Sequence, residues 1–200
     1  MLPKPGMPHP PIAPPPDFKF QMEATFTDVV VIGTVPEGLR IDAHYNGNII
    51  AGPLAGEKVR GVDYLLIRSD GVGVLDVRET ITTPAGQVIG VRALGYGSVR
   101  PVPPASAEGV RSQGTQFAWP DAPSPLLGVA MCQTTDPEVL WMNAAMLVFS
   151  GTANLGTRKL QAVDRVLTPE IVLSAPETHT GDLANSTHAR VLLAAPLSAE

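Results

Sequence analysis

Residues 62–96 read VDYLLIRSDGVGVLDVRETITTPAGQVIGVRALGY, and this stretch decides the fold. Three runs rich in Val, Ile, Leu and Tyr are separated by Asp70-Gly71 and by Pro84-Ala85-Gly86, the pattern of a three-stranded antiparallel meander. Asp-Gly between such runs predicts a two-residue type I′ turn, because both central positions of that turn need positive φ. The turn pairs Ser69 with Val72, and in step Ile67 with Val74, Leu65 with Asp76 and Asp63 with Arg78. Pro84-Ala85-Gly86 predicts a three-residue loop with Gly86 left-handed, pairing Thr83 with Gln87, Arg78 with Arg92 and Asp76 with Leu94.

In this register one face of the meander collects Asp63, Asp76, Arg78 and Arg92. The other carries Val62, Tyr64, Leu66, Leu75, Val77 and Ile81. Two readings stand side by side. The charged face is solvated, with weak ion pairs, and the apolar face fills the core. Alternatively, carboxylates and guanidiniums compensate one another and line a partly buried interior.

Working outward, β-patterned segments recur at Phe18–Thr25, Asp28–Thr34, Leu39–Tyr45, Leu126–Gln133, Ala144–Phe149 and Lys159–Leu167. Pro36-Glu37-Gly38, Asn46-Gly47 and Gly52-Pro53 supply turn chemistry between them. The expectation is an all-β fold, a closed antiparallel barrel of about eight to ten strands. One short helix is expected near 137–142, with Thr135 or Asp136 as cap and Pro137 at its first position. Residues 1–17 form a Pro-rich arm, 18–168 the barrel domain and 169–200 an extension in which Ala189–Leu193 could add an edge strand. Segment 98–124 carries five prolines and reads as a long loop.

Composition narrows the function. The 200 residues are 44% hydrophobic and only 16% charged, and Gly and Pro together make a fifth of the chain, too much punctuation for a helical bundle. A net charge of −5 disfavours a nucleic-acid partner, since that binding needs a concentrated Lys/Arg surface. No run approaches a membrane span, and the Pro-rich start lacks the apolar core of a signal peptide. The single cysteine, Cys132, forms no internal disulfide and sits in the apolar run Val129-Ala130-Met131, where a buried inert thiol is expected. A cytoplasmic protein with no membrane partner is the expectation.

The ordered series Leu39-Arg40, Gly47, Gly52-Pro53, Gly56, Gly61-Val62-Asp63-Tyr64, Asp70-Gly71, Leu75-Asp76-Val77-Arg78 and Thr82 resembles a known family, domain of unknown function 3237. Leu140-Trp141-Met142-Asn143 looks like that family's W-x-N element and Leu160–Leu167 like its closing strand. The chain departs from the pattern in carrying Tyr64 where a Trp is common, and in its arm, long loop and tail. The resemblance implies a calycin-like barrel, often self-associated, and it favours the charged face of the meander as barrel lining. A homo-oligomer is therefore expected, with the Tyr64 face meeting a partner subunit.

Candidate chemistry follows from that orientation. Asp76 is expected as general acid or base, with Asp63 and His44 beside it and Arg78 and Arg40 holding an oxyanion or carboxylate. Tyr64, Arg92, Tyr96, Trp141 and Asn143 complete the expected ligand-binding set. Asp42-x-His44 lacks further ligands at recognisable spacing, so neither a metal nor another cofactor is expected. His9, His179 and His188 fall in the arm and tail and read as bystanders. No Walker loop, G-x-G-x-x-G, G-x-S-x-G or H-E-x-x-H is present. The expected function is cofactor-free isomerase, cyclase or lyase chemistry on a small, largely apolar metabolite. The alternatives are a non-catalytic ligand-binding barrel or a structural and oligomerisation module.

Overall fold

The structure is a computed structural model that describes residues 14–15, 17–98 and 119–167. Most of the Pro-rich arm, most of the 98–124 loop and the extension with His179 and His188 lie outside the described residues, as does His9. Eight antiparallel strands close into one barrel in sequence order. They are β1 (Lys19–Val35), β2 (Gly38–Ala51), β3 (Lys58–Ile67), β4 (Val72–Thr82), β5 (Val88–Ser98), β6 (Ser124–Thr134), β7 (Met146–Asn154) and β8 (Lys159–Val166). β8 returns to pair with β1, so no sheet edge is left open. Among the described residues no helix is long and apolar enough to cross a membrane.

Alternation builds the interior. Ile41, Ala43 and Tyr45 of β2, Leu65 and Ile67 of β3, and Leu75 and Ile81 of β4 are buried, while their neighbours along each strand face out. The two segments expected at Phe18–Thr25 and Asp28–Thr34 are one seventeen-residue strand, β1, bent at irregular pairings near Met22, Asp28 and Gly33. Asn46-Gly47, turn-like in sequence, stays within β2. A Cβ on Gly47 would lie 2.1 Å from the Glu23 carbonyl oxygen, so glycine serves close strand approach at that point rather than a reversal.

The helix expected at 137–142 is a single 3-10 turn, Leu140–Ala144. Asp136 does not cap it; its Oδ1 accepts the Glu138 backbone N–H at 3.0 Å, which forms the bend before the turn. The turn carries Trp141 and Met142 into one end of the barrel, where the Trp141 ring meets Phe18 edge-on with centroids 4.7 Å apart.

The Asp70-Gly71 hairpin corrects the sequence register. Arg68, not Ser69, pairs with Val72: the Arg68 N–H donates to the Val72 carbonyl at 2.9 Å, and Gly71 adopts φ +82°. The loop therefore has three residues, Ser69-Asp70-Gly71, with Gly71 left-handed. Asp63 lies opposite Val77 and Val62 opposite Arg78, one residue from the expected pairing. Because side chains alternate, a one-residue slip turns β4 over relative to β3. Asp63, Leu65 and Ile67 then share the interior with Leu75 and Val77, while Asp76 and Arg78 face out. The second hairpin keeps the expected register, Arg78 opposite Arg92 and Asp76 opposite Leu94, with Gly86 at φ +84°.

Candidate functional site in the barrel lumen

A cavity of about 90 Å³ occupies the barrel above the Trp141 turn and reaches toward the opposite end at Ser124 and Leu155. Aliphatic and aromatic side chains supply most of its wall, among them Met22, Leu65, Leu75 and Phe149. Tyr45, Asp63, Glu79 and Asp164 interrupt them, with Ser124 at the far end. No Lys, Arg or His is among the described lining residues.

Each polar group stands at a position whose parity belongs to the core. Asp63 continues the Leu65 and Ile67 row of β3, and Glu79 sits between Val77 and Ile81 on the inner row of β4. Asp164, 8% exposed, lies between Ala162 and Val166 on β8. Gly61 leaves room for the Tyr45 ring, since a Cβ there would lie 2.5 Å from its Cζ and hydroxyl oxygen. The Tyr45 hydroxyl donates to Glu79 Oε2 at 2.6 Å. Asp63 Oδ1 accepts the Asp76 backbone N–H at 3.1 Å. The Asp164 carboxyl receives no hydrogen bond among the described residues.

Burial in this apolar wall disfavours charge. It pushes the Asp63 carboxyl up to about 7, against the opposing pull of the Asp76 N–H and the Arg40 guanidinium. Burial likewise pushes Glu79 up to about 7, although the Tyr45 hydrogen bond works the other way. Asp164 is pushed up to about 8, by burial first and then by the Glu79 charge. The Tyr45 phenol is driven well above its ordinary range by burial and by Glu79. Near neutral pH the lumen thus holds carboxyls that both take and give protons. The Cys132 thiol, buried on β6, is pushed up to about 12 by burial, in keeping with an inert side chain.

Of the residues expected in the site, Asp63 alone lines this cavity. Asp76 and Arg78 form an ion pair on the outer wall, their side chains 44% exposed. Arg40 also lies on the outer face of β2, paired with Asp42 at 2.9 Å and set over the Tyr64 ring at 5.2 Å. His44, Arg78, Arg92 and Asn143 do come together, but along an outer groove that Arg60 also edges. Asn143 there ties the 3-10 turn to β6, accepting the Thr134 N–H at 2.8 Å and donating to the Thr134 and Leu140 carbonyls. Tyr96 is 62% exposed, and Trp141 is buried in the barrel end. Tyr45, Glu79 and Asp164 were not singled out in the sequence. The signal for them is an acid, or a phenol, at a core-parity position of an otherwise apolar alternation. Among the described residues no group of three or more His, Cys, Asp and Glu side chains is arranged to hold a metal ion.

These features define a class: a closed eight-stranded antiparallel barrel with an apolar, acid-bearing lumen. Residues 14–163 match the family described as Protein of unknown function (DUF3237), and the chain belongs to that family. No curated protein matches the chain. Among solved structures it is similar to a protein with unknown function from Clostridium acetobutylicum, at 21% identity and a TM-score of 0.57, covering 76% of this chain and 97% of that one. A beta-barrel like protein from Acinetobacter baumannii matches at 19% identity and a TM-score of 0.55, over 78% of this chain and 99% of the other. A conserved protein of unknown function from Rhodopseudomonas palustris matches at 19% and 0.52, over 77% and 100%. At these identities the likeness concerns the fold.

Proposed function

We propose that the barrel is a cofactor-free acid–base enzyme whose lumen holds a small, largely apolar molecule and moves a proton on it. The observation that carries this reading is the set of three carboxyls and one phenol facing a cavity that is apolar apart from them and Ser124, with no cation among its described lining residues. A purely structural core has no use for them, since each costs free energy to bury and an aliphatic side chain would pack in its place. Carboxyls displaced toward neutrality in a cleft are matched to proton transfer at physiological pH. Asp63 and Glu79 are the proposed pair, one the general base and the other the general acid, with Tyr45 orienting Glu79. Isomerisation, cyclisation and elimination all fit such a pair, because each needs a proton taken at one atom and returned at another or lost with a leaving group. Self-association is proposed through the outer wall, where Tyr96 and Leu127 are cross-strand partners and 62% and 60% exposed.

A substrate-independent test uses 5-nitrobenzisoxazole. Its ring opens when a base removes the C3 proton: the C–H electrons form the nitrile as the N–O bond breaks, and the single product is a coloured cyanonitrophenolate. The protein is expected to accelerate this elimination beyond free carboxylate in solution, with a rate that climbs through about pH 7 as Asp63 and Glu79 ionise. Replacing whichever of the two is the base, by Asp63→Asn or Glu79→Gln, is expected to slow it about a hundredfold. Equal rates with and without the protein would leave the lumen as a container without chemistry.

A further inference from the structure

We propose that the molecule held in the lumen carries a cationic amine, and that its ammonium group seats against Asp164. The inference rests on reading the lumen as a small-molecule site and adds the chemical class of its occupant. Three acids line the cavity and no base does among the described lining residues, so the electrostatic complement of this wall is positive. The acids are not equivalent. Glu79 is engaged by the Tyr45 hydroxyl and Asp63 by the Asp76 N–H. Asp164 is 8% exposed, lines the cavity and receives no hydrogen bond among the described residues. A buried acid left without a donor is costly unless something fills the role. An ammonium with its N–H bonds aimed at the carboxylate does so, and its hydrocarbon body covers the apolar wall. An anionic occupant meets the opposite situation, with three acids and no cationic side chain among the described lining residues.

The arrangement also fixes the proton balance. Free, the Asp164 carboxyl is mostly protonated near neutrality, because burial pushes it up to about 8. Seating an ammonium converts it to carboxylate, and the displaced proton leaves to the buffer.

Three probes of one ring size separate the possibilities: cyclohexylammonium, cyclohexanol and cyclohexanecarboxylate, titrated by calorimetry near pH 7 in buffers of different ionisation enthalpy. The protein is expected to bind the amine about tenfold more tightly than the alcohol and not to bind the carboxylate. Amine binding is expected to release about one proton, and alcohol binding none. Asp164→Asn is expected to remove the preference for the amine. Asn keeps the shape of the neutral acid, and the proton release of the unaltered protein reads the same contact without any substitution. Alcohol bound as tightly as the amine, or an amine preference that survives in Asp164→Asn, would overturn the cationic class and leave the lumen reading standing. Absence of binding by all three, together with no acceleration of 5-nitrobenzisoxazole opening, would remove both.

Discussion

Raising the pH from about 5 to about 9 is expected to lower the melting temperature of this barrel. The lumen carboxyls set the sign. In the folded protein Asp63 and Glu79 protonate at about 7 and Asp164 at about 8, against ordinary values of 3.8, 4.5 and 3.8. Between those limits the folded barrel holds protons that the unfolded chain has released. Stability from these groups is therefore fully present below about pH 4, is lost as pH rises toward about 8, and stays low above. Displacements of this size correspond to on the order of 3–6 kcal/mol for one isolated group. The three are coupled, Glu79 raising Asp164, so their contributions do not add. A fall in melting temperature of about 10 °C or more is expected. Differential scanning fluorimetry across pH checks this, and the combined Asp63→Asn, Glu79→Gln and Asp164→Asn variant is expected to flatten the profile. A melting temperature that rises steadily from pH 5 to 9 would show that the three acids are not buried as described.

Trp141→Ala is expected to cost about 3–5 kcal/mol, read as a lower denaturant midpoint at constant slope. The indole is 6% exposed, meets Phe18 edge-on at 4.7 Å and closes the barrel end with Met142 and Val139. Removing it opens a large hole that the 3-10 turn, tied down through Asn143, is not free to fill. Trp141 lines the barrel end and not the lumen cavity. In the folded fraction, the KM for 5-nitrobenzisoxazole is thus expected to stay within about twofold of the unaltered protein. Loss of that activity with stability intact would restore Trp141 to the ligand-binding set in which the sequence placed it.

The fold was legible from alternation and turn residues, whereas the lumen depended on a single residue of register. Pro84-Ala85-Gly86 admits one loop length, and its register read correctly. Asp70-Gly71 is compatible with both a two-residue loop and a three-residue loop that begins at Ser69. The second is adopted. The clue lay in the strands, not the turn: only the longer loop brings Leu65 and Ile67 to the face that carries Leu75 and Val77. With the shorter loop, the conspicuous Asp76 and Arg78 point inward in company with Asp63. With the longer one they are an exposed pair, and the inner acids are Asp63, Glu79 and the distant Asp164. Glu79 and Asp164 were inconspicuous because each is the single acid on the otherwise apolar inner row of a strand whose outer row is also charged, and their meeting depends on barrel closure through β8 and β1. Tyr45 shares the apolar side of its strand with Leu39, Ile41 and Ala43, but its partner Glu79 is thirty-four residues away.

The whole reading turns on the protonation of three side chains that face inward. Carbon-13 NMR of the Asp and Glu carboxyl carbons, followed from pH 3 to 10, observes them one by one. Asp63 and Glu79 are expected to titrate near 7 and Asp164 near 8, each resonance vanishing in its own Asn or Gln variant. If all three instead titrate between about 3 and 5, as solvated carboxyls do, the acid-bearing lumen does not exist and the chemistry assigned to it goes with it.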